Sequence, residues 1–335
     1  MQEVTFDVQT ITPLFLAGAD QATAELRAPS FRGVMRYWLR ALVGGAKSLD
    51  EVADVEDKIF GATDRGSAVQ MRMSLPGPRR EPEVLDWGRT RFGRRYLLWS
   101  MKESGTGVNY KPDRRFFRPG TSFRITLSTR GQDDTKLKQA IAALWLLTHL
   151  GGIGSRSRRC AGSLAIEIFE DLTAIASDQD VPSFSKPGNV EDLKKHLEEG
   201  IIRARALYTV SSPYISQTLF DVLSPTTCSI WVLQKERPWR SVEEAMEVIG
   251  ASLQSGRRAL PTRLREIFGL PLAGNSKRRA SPLLLRVTKL QEEQYVGVAV
   301  LFKTKSEGVS MPDYARIESW IGKDFPKALE VTLTV

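Results

Sequence analysis

Along this 335-residue chain the order strand, helix, two strands, helix, strand is written twice, and that repetition restricts the possible folds more than any other feature. In the first half, Val4 to Ile11 alternates apolar and polar residues, with Val4, Phe6, Val8 and the less apolar Thr10 on one face, as a half-buried strand requires. A loop holding Pro13, Gly18 and Asp20 follows. Ser30 then stands as a cap before FRGVMRYWLRALVG, where Phe31, Val34, Met35, Trp38, Leu39 and Leu42 recur at helical spacing up to Gly44-Gly45. A shorter helix is predicted over Leu49–Phe60, and strands over Ala68–Leu75, Tyr96–Met101 and Phe123–Ser128. A helix over Asp134–Leu150 and a strand over Leu164–Phe169 complete the set.

The segment Asp171–Val190 is rich in Asp, Ser and Pro and reads as a linker, followed by a helix over Val190–Leu207. The order then recurs: strand Thr227–Gln234, capped helix Ser241–Leu253, hairpin Leu283–Leu290 with Tyr295–Phe302, helix Pro312–Ile321, strand Leu329–Val335. The expected fold class is α+β: two tandem ferredoxin-like (RRM-like, βαββαβ) domains with antiparallel sheets. The expected division is 1–170, a connecting stretch 171–226, and 227–335.

Apolar residues make up 41% of the chain, enough for two cores. No apolar run approaches the roughly 18–20 residues that cross a bilayer. The opening MQEVTFDVQT lacks the basic and apolar regions of a secretion signal, and two cysteines build no disulfide framework. A cytoplasmic location is the expectation. The net charge of +9 favours polyanionic partners, but clustering has to decide between a nucleic acid and a merely soluble surface.

The densest cluster is GGIGSRSRRCAGS, Gly151 to Ser163, with four glycines, three arginines and no acid. Glycines permit positive φ and close backbone approach, and successive amides can form an anion-binding concavity. On this reading Gly151, Gly152, Gly154 and Ser155 offer backbone contacts to RNA, and Arg156, Arg158 and Arg159 offer bidentate phosphate contacts. Reversing the three arginines to glutamate is then expected to weaken RNA binding with folding intact. The bland alternative is a helix C-cap followed by a solvated turn. The loop lacks the Gly-Lys-Ser/Thr ending of a nucleotide fingerprint and follows a helix, not a strand.

Further basic groups surround it. Arg32, Arg36 and Arg40 form an i, i+4, i+8 stripe with Arg27 upstream, either for RNA or paired with acids elsewhere. Arg89, Arg91, Arg94 and Arg95 occur with Trp87, Phe92 and Tyr96; Lys111, Arg114, Arg115 and Arg118 surround Phe116 and Phe117. Basic groups among aromatics suit a groove that tracks a backbone and stacks unpaired bases, though both phenylalanines fit a core equally well. Lys277, Arg278 and Arg279 precede the hairpin of the second half. Catalytic candidates are scarce: His149 lies in an apolar helix, His196 among solvated charge, and Asp20 is most simply a turn residue. No metal or cofactor is expected.

Three blocks, ITPLFLAGAD (Ile11–Asp20), LRAPSFRGVMRYWLRAL (Leu26–Leu42) and the glycine-rich loop, together with RRASPLLLRV (Arg278–Val287), resemble the RAMP superfamily of CRISPR-associated proteins. More narrowly they resemble the first RAMP subunit family of the type III-B (Cmr) effector. The resemblance implies a tandem ferredoxin-like, non-catalytic subunit at the end distal to the guide's 5′ tag. Its partners would be single-stranded RNA (guide and target) and other Cmr subunits, with no membrane and no small-molecule substrate. Cys160 stands where that family often has glycine. The competing readings are a guide-processing endoribonuclease of the same superfamily and a scaffold that meets only protein.

Overall fold

The computed structural model describes residues 1–21, 23–76, 81–131, 133–210, 219–269, 279–305 and 309–334. The first half runs β1 (Gln2–Thr10), α1 (Ala28–Val43), α2 (Leu49–Phe60), β2 (Val69–Ser74), β3 (Glu83–Val84), α3 (Phe92–Leu98), β4 (Arg115–Phe116), β5 (Ser122–Thr129), α4 (Thr135–Leu150) and β6 (Leu164–Glu170). The second runs α5 (Val190–Leu207), β7 (Cys228–Leu233), α6 (Val242–Ala259), β8 (Leu283–Lys289), β9 (Tyr295–Phe302), α7 (Met311–Asp324) and β10 (Leu329–Val331).

The two main sheets share one topology. The first is ordered β2-β5-β1-β6 and the second β8-β9-β7-β10, each antiparallel throughout. Counting only strands of each four-stranded sheet, both read second, third, first, fourth, the ferredoxin-like arrangement. The alternation of β1 does what its sequence requires: Val4, Phe6 and Val8 are buried, while Asp7 on the other face meets Arg124 at 3.0 Å.

Four layers result. The inner face of the first sheet packs on α1 and α4, and the same helix layer, with α5, covers one face of the second sheet through Ile230, Val232, Val298 and Val300. Helices α6 and α7 cover that sheet's other face. Because α4 is wedged between two sheets, it has no water-facing stripe: Ala140 to Leu147 is fully buried without a break. Trp38 of α1 reaches across to Phe302 of β9, ring centroids 6.1 Å apart.

Two expectations are corrected. Helix α1 starts at Ala28, with Arg27 and not Ser30 at its N-cap, because Pro29 sits in the first turn, where its fixed φ and missing N–H cost nothing. Tyr96–Met101 is not a strand: it is the end of α3 and a 3-10 turn at Trp99–Met101. Leu97 and Leu98 are buried in the second core, so α3 crosses from the first half to lie on α6. Gly93 and Gly250 make that crossing possible: a Cβ on Gly250 would lie 2.1 Å from the Gly93 carbonyl oxygen. Gly33, by contrast, faces open space on α1. Gly33→Ala is therefore expected to stabilise the isolated chain by about 0.5–1 kcal/mol, read from urea midpoints, since it only narrows the unfolded ensemble.

Candidate nucleic-acid interface

The glycine half of the Gly151–Ser163 loop is spent on the protein's own backbone. Gly154 (φ +85°) and Gly162 (φ +64°) need the left-handed region that favours glycine, and a Cβ on either would strike a carbonyl oxygen, of Phe15 and Ile153 respectively. The amide of Ser155 donates to Phe15 O at 2.8 Å, that of Gly162 to Pro13 O at 2.9 Å, and that of Cys160 to Leu285 O on β8 at 2.8 Å. The last bond, with Val287 N donating to Ser163 Oγ at 3.2 Å, closes the free edge of the second sheet. Gly151 and Gly152 are buried. The close approaches expected at Gly151, Gly152, Gly154 and Ser155 are thus made within the chain: Gly151 to the Trp38 ring, Gly152 to the Ala161 and Gly162 carbonyl oxygens, and Gly154 and Ser155 to Phe15 O. Cys160 itself sits at φ +64°, which explains why glycine suits this position, and burial pushes its thiol up to about 12.

The arginine half turns the other way. Arg156 Nε donates to Leu97 O at 2.6 Å, and Arg159 donates to Leu283 O (3.1 Å) and Phe268 O (2.9 Å). Arg158 donates to Ser281 O at 2.5 Å and pairs with Asp221 at 3.0 Å, where Tyr37 also donates, at 2.7 Å. The bonds of Arg158 and Arg159 staple the halves together and that of Arg156 holds α3, so reversing all three arginines would break internal contacts and folding is not expected to stay intact. The carbonyl partners of Arg156 and Arg159 carry no net charge, however, so these two guanidiniums keep theirs, whereas Asp221 offsets that of Arg158. Burial draws Arg156 down to about 10 and Arg159, also repelled by Arg156, to about 9; both remain cationic at neutral pH.

Those three arginines floor a cleft of about 830 Å³, which Arg257 and Arg258 of α6, Arg265 and Arg279 also line. Among the described residues, seven guanidiniums from both halves line it and no carboxylate does. One wall is aromatic: Trp99 is 62% exposed at the rim, and Tyr96 Oη accepts from Arg257 at 3.3 Å. Sequence reasoning missed Arg257, Arg258, Arg265 and Trp99. The signal was present in SGRRALPTRLRE, but Arg257 and Arg258 end a helix, where cations are ordinary complements of the dipole.

The remaining expected residues lie elsewhere. Arg36 and Arg40 both pair with the buried Glu56 of α2, at 2.7 and 3.3 Å, so they join two helices and do not form a free basic stripe. Arg27 pairs with Glu25 at 3.6 Å; Arg32 is half-buried and away from the cleft. Arg114 donates to Gln21 Oε1 and Arg115 to Pro82 O, with Phe116 and Phe117 buried and closed to stacking. Arg279 does line the cleft; Lys277 and Arg278 lie outside the described residues. Among the described residues there is no group of three metal-ligating side chains and no helix long and apolar enough to cross a membrane.

His149 is remote from this cleft. Its Nδ1 donates to Trp145 O at 2.9 Å and its ring stacks on Trp145 at 4.4 Å. Burial, then repulsion from His196 and Arg286, holds it well below the ordinary 6.5, and burial also lowers His196. The unfolded chain therefore binds these protons at higher pH than the folded one. Their contribution to stability is complete above about 6.5 and shrinks as pH falls below it, by about 1.4 kcal/mol per pH unit for each group until the folded imidazole protonates. Urea midpoints at pH 7.5 and 5.5 check this: the loss on acidification should be smaller in His149→Phe.

The sequence profile of the RAMP superfamily matches residues 7–165. The CRISPR system Cmr subunit Cmr1-2 of Pyrococcus furiosus is 32% identical over 190 residues, which span 51% of this chain and 99% of that subunit. Subunit Cmr1-1 of the same organism is 28% identical over 317 residues, 89% of this chain and 87% of that one. The crystal structure of apo Cmr1 from Pyrococcus furiosus matches with a TM-score of 0.69 at 22% identity, covering 99% of both chains. A chain in the cryo-EM structure of the Type III-B Cmr-beta bound to cognate target RNA matches with a TM-score of 0.59 at 12% identity, covering 96% of this chain and 100% of that one.

Proposed function

Because this chain belongs to the RAMP superfamily, in the family of Cmr1 subunits, we propose that it is a non-catalytic subunit of a type III-B effector complex that grips guide or target RNA in its arginine-lined cleft. One observation carries this reading: among the described residues, seven guanidiniums converge on one cleft with no acid on its lining. Like charges gathered this closely repel one another, and a polyanion relieves that repulsion while releasing its own counterions. Trp99 beside them gives an unpaired base a ring to stack on. Contacts of this kind hold the backbone and carry little sequence preference. A chain of the Type III-B Cmr-beta, an assembly bound to cognate target RNA, has the same fold, which is consistent with RNA as the ligand class.

A fluorescent single-stranded RNA titrated with purified protein at several salt concentrations tests the proposal. Log K should fall with log salt by about 0.7 per phosphate engaged. Trp99→Ala should weaken binding by about 1–3 kcal/mol, the worth of one stacked base, with the melting temperature unchanged because the ring is exposed. RNA left uncut throughout agrees with a binding role; metal-independent cleavage abolished by His149→Ala would replace it with a processing enzyme.

A further inference from the structure

Strand β8 leads from the arginine cleft, at Ser281, to a second hollow of about 450 Å³ lined by its far residues Arg286 and Thr288. Seven extended residues separate these ends, about 23 Å. The hollow is walled by β1, β5, β6, the segment at Phe184–Pro187 and the end of α4 at His149. Arg286 is 3% exposed, and its Nη2 donates to Leu164 O at 2.9 Å. Among the described residues its Nε and Nη1 have no hydrogen-bond partner, and neither has the buried Oγ1 of Thr288, two residues along the same face. No carboxylate among the described residues pairs with Arg286. Of the two acids on the lining, Asp7 is held by Arg124 at 3.0 Å and Glu167 is exposed.

A guanidinium removed from water without a counter-anion is costly, and its unmade hydrogen bonds add to that cost. The carbonyl end of α4 offsets only part of it, since a helix terminus carries about half a charge. Lys186 and Lys289 add positive charge around the hollow, although Lys289 already meets Glu293 at 2.5 Å. A volume of about 450 Å³ lies within the range that small ligands occupy. The rings of Phe184 and His149, 5.9 Å apart and tilted by 59°, give it aromatic lining on one side.

We infer that this hollow binds the phosphate of a single nucleotide, with the unpartnered nitrogens of Arg286 and Thr288 Oγ1 as the phosphate's ligands. The phosphate comes either from a free mononucleotide or from the end of an RNA strand. This site is separate from the RNA cleft and does not depend on it.

Calorimetry and thermal shift on the full chain test it with four probes: inorganic phosphate, AMP, and a tetranucleotide RNA with and without a 3′-phosphate. AMP is expected to bind and raise the melting temperature. Arg286→Met should lose AMP affinity about tenfold or more, the effect of a lost charge-assisted hydrogen bond, and should melt higher than wild type without ligand. Thr288→Val should lose less and melt as wild type does, so it stays decisive if Arg286→Met does not fold. Binding only of the 3′-phosphorylated RNA, lost in these variants, assigns the site to an RNA end. AMP binding that survives Arg257→Glu/Arg258→Glu separates this hollow from the cleft. No binding by any probe, or equal binding by wild type and both variants, overturns the inference.

Discussion

Arg257→Glu/Arg258→Glu is expected to lower affinity for single-stranded RNA by about a hundredfold or more and to flatten the salt dependence by roughly 0.7 for each phosphate that is no longer neutralised. The pair is chosen because each side chain meets α3 through one weak contact and donates to no main-chain carbonyl oxygen that joins distant elements. Arg257 donates to the Tyr96 hydroxyl at 3.3 Å, and the Arg258 guanidinium rests over the Phe92 ring at 5.9 Å. Arg156 and Arg159, by contrast, each bond carbonyl oxygens from elements far apart in sequence. Reversing those two would confuse weakened binding with failed folding. Fluorescence anisotropy gives the affinity, and the melting temperature of the double variant should stay within a few degrees of wild type. Undiminished affinity in the folded variant would remove the cleft from the RNA path.

Gly250→Val should do the opposite, costing stability first and binding as a result. The new side chain would begin 2.1 Å from a backbone oxygen of α3, with no flexible neighbour to yield, so α3 has to lift from α6. Overpacking of this kind, with burial reduced around Leu97 and Leu98, should cost roughly 3 kcal/mol or more in urea unfolding. Glu247 adds to the clamp by accepting from the amides of Gly93 and Arg94, and the shift would break that too. Since α3 carries Tyr96 and leads into Trp99, RNA affinity should fall as well. Wild-type stability in Gly250→Val would mean that the two helices are not locked.

Much of the fold was legible because each main strand and helix carries its own period. β1 alternates, α1 shows an apolar stripe, and the Ser241 side chain caps α6 by accepting from Glu244 N at 3.1 Å. Tyr96–Met101 misled because a short apolar run such as YLLWSM has no period long enough to separate strand from helix. The site was half legible. A glycine's need for close approach shows in sequence, but what approaches does not. In this loop the neighbours are the chain's own Trp38 ring, Phe15 backbone and the loop's own carbonyl oxygens. The stripe of Arg36 and Arg40 misled for a related reason, since the acid that neutralises them sits on the next helix. Arg257 and Arg258 join the cleft only because folding brings α6 beside a loop about a hundred residues upstream.

The apolar wedge at the centre has a further consequence. A helix greasy on every side serves two floors of the same building, so neither storey has an interior without it. Cutting the chain in the stretch after β6 would leave one fragment with a bare oily ceiling and the other with half its sheet uncovered, both prone to aggregate. The halves that look like separate modules in sequence should therefore melt as one body.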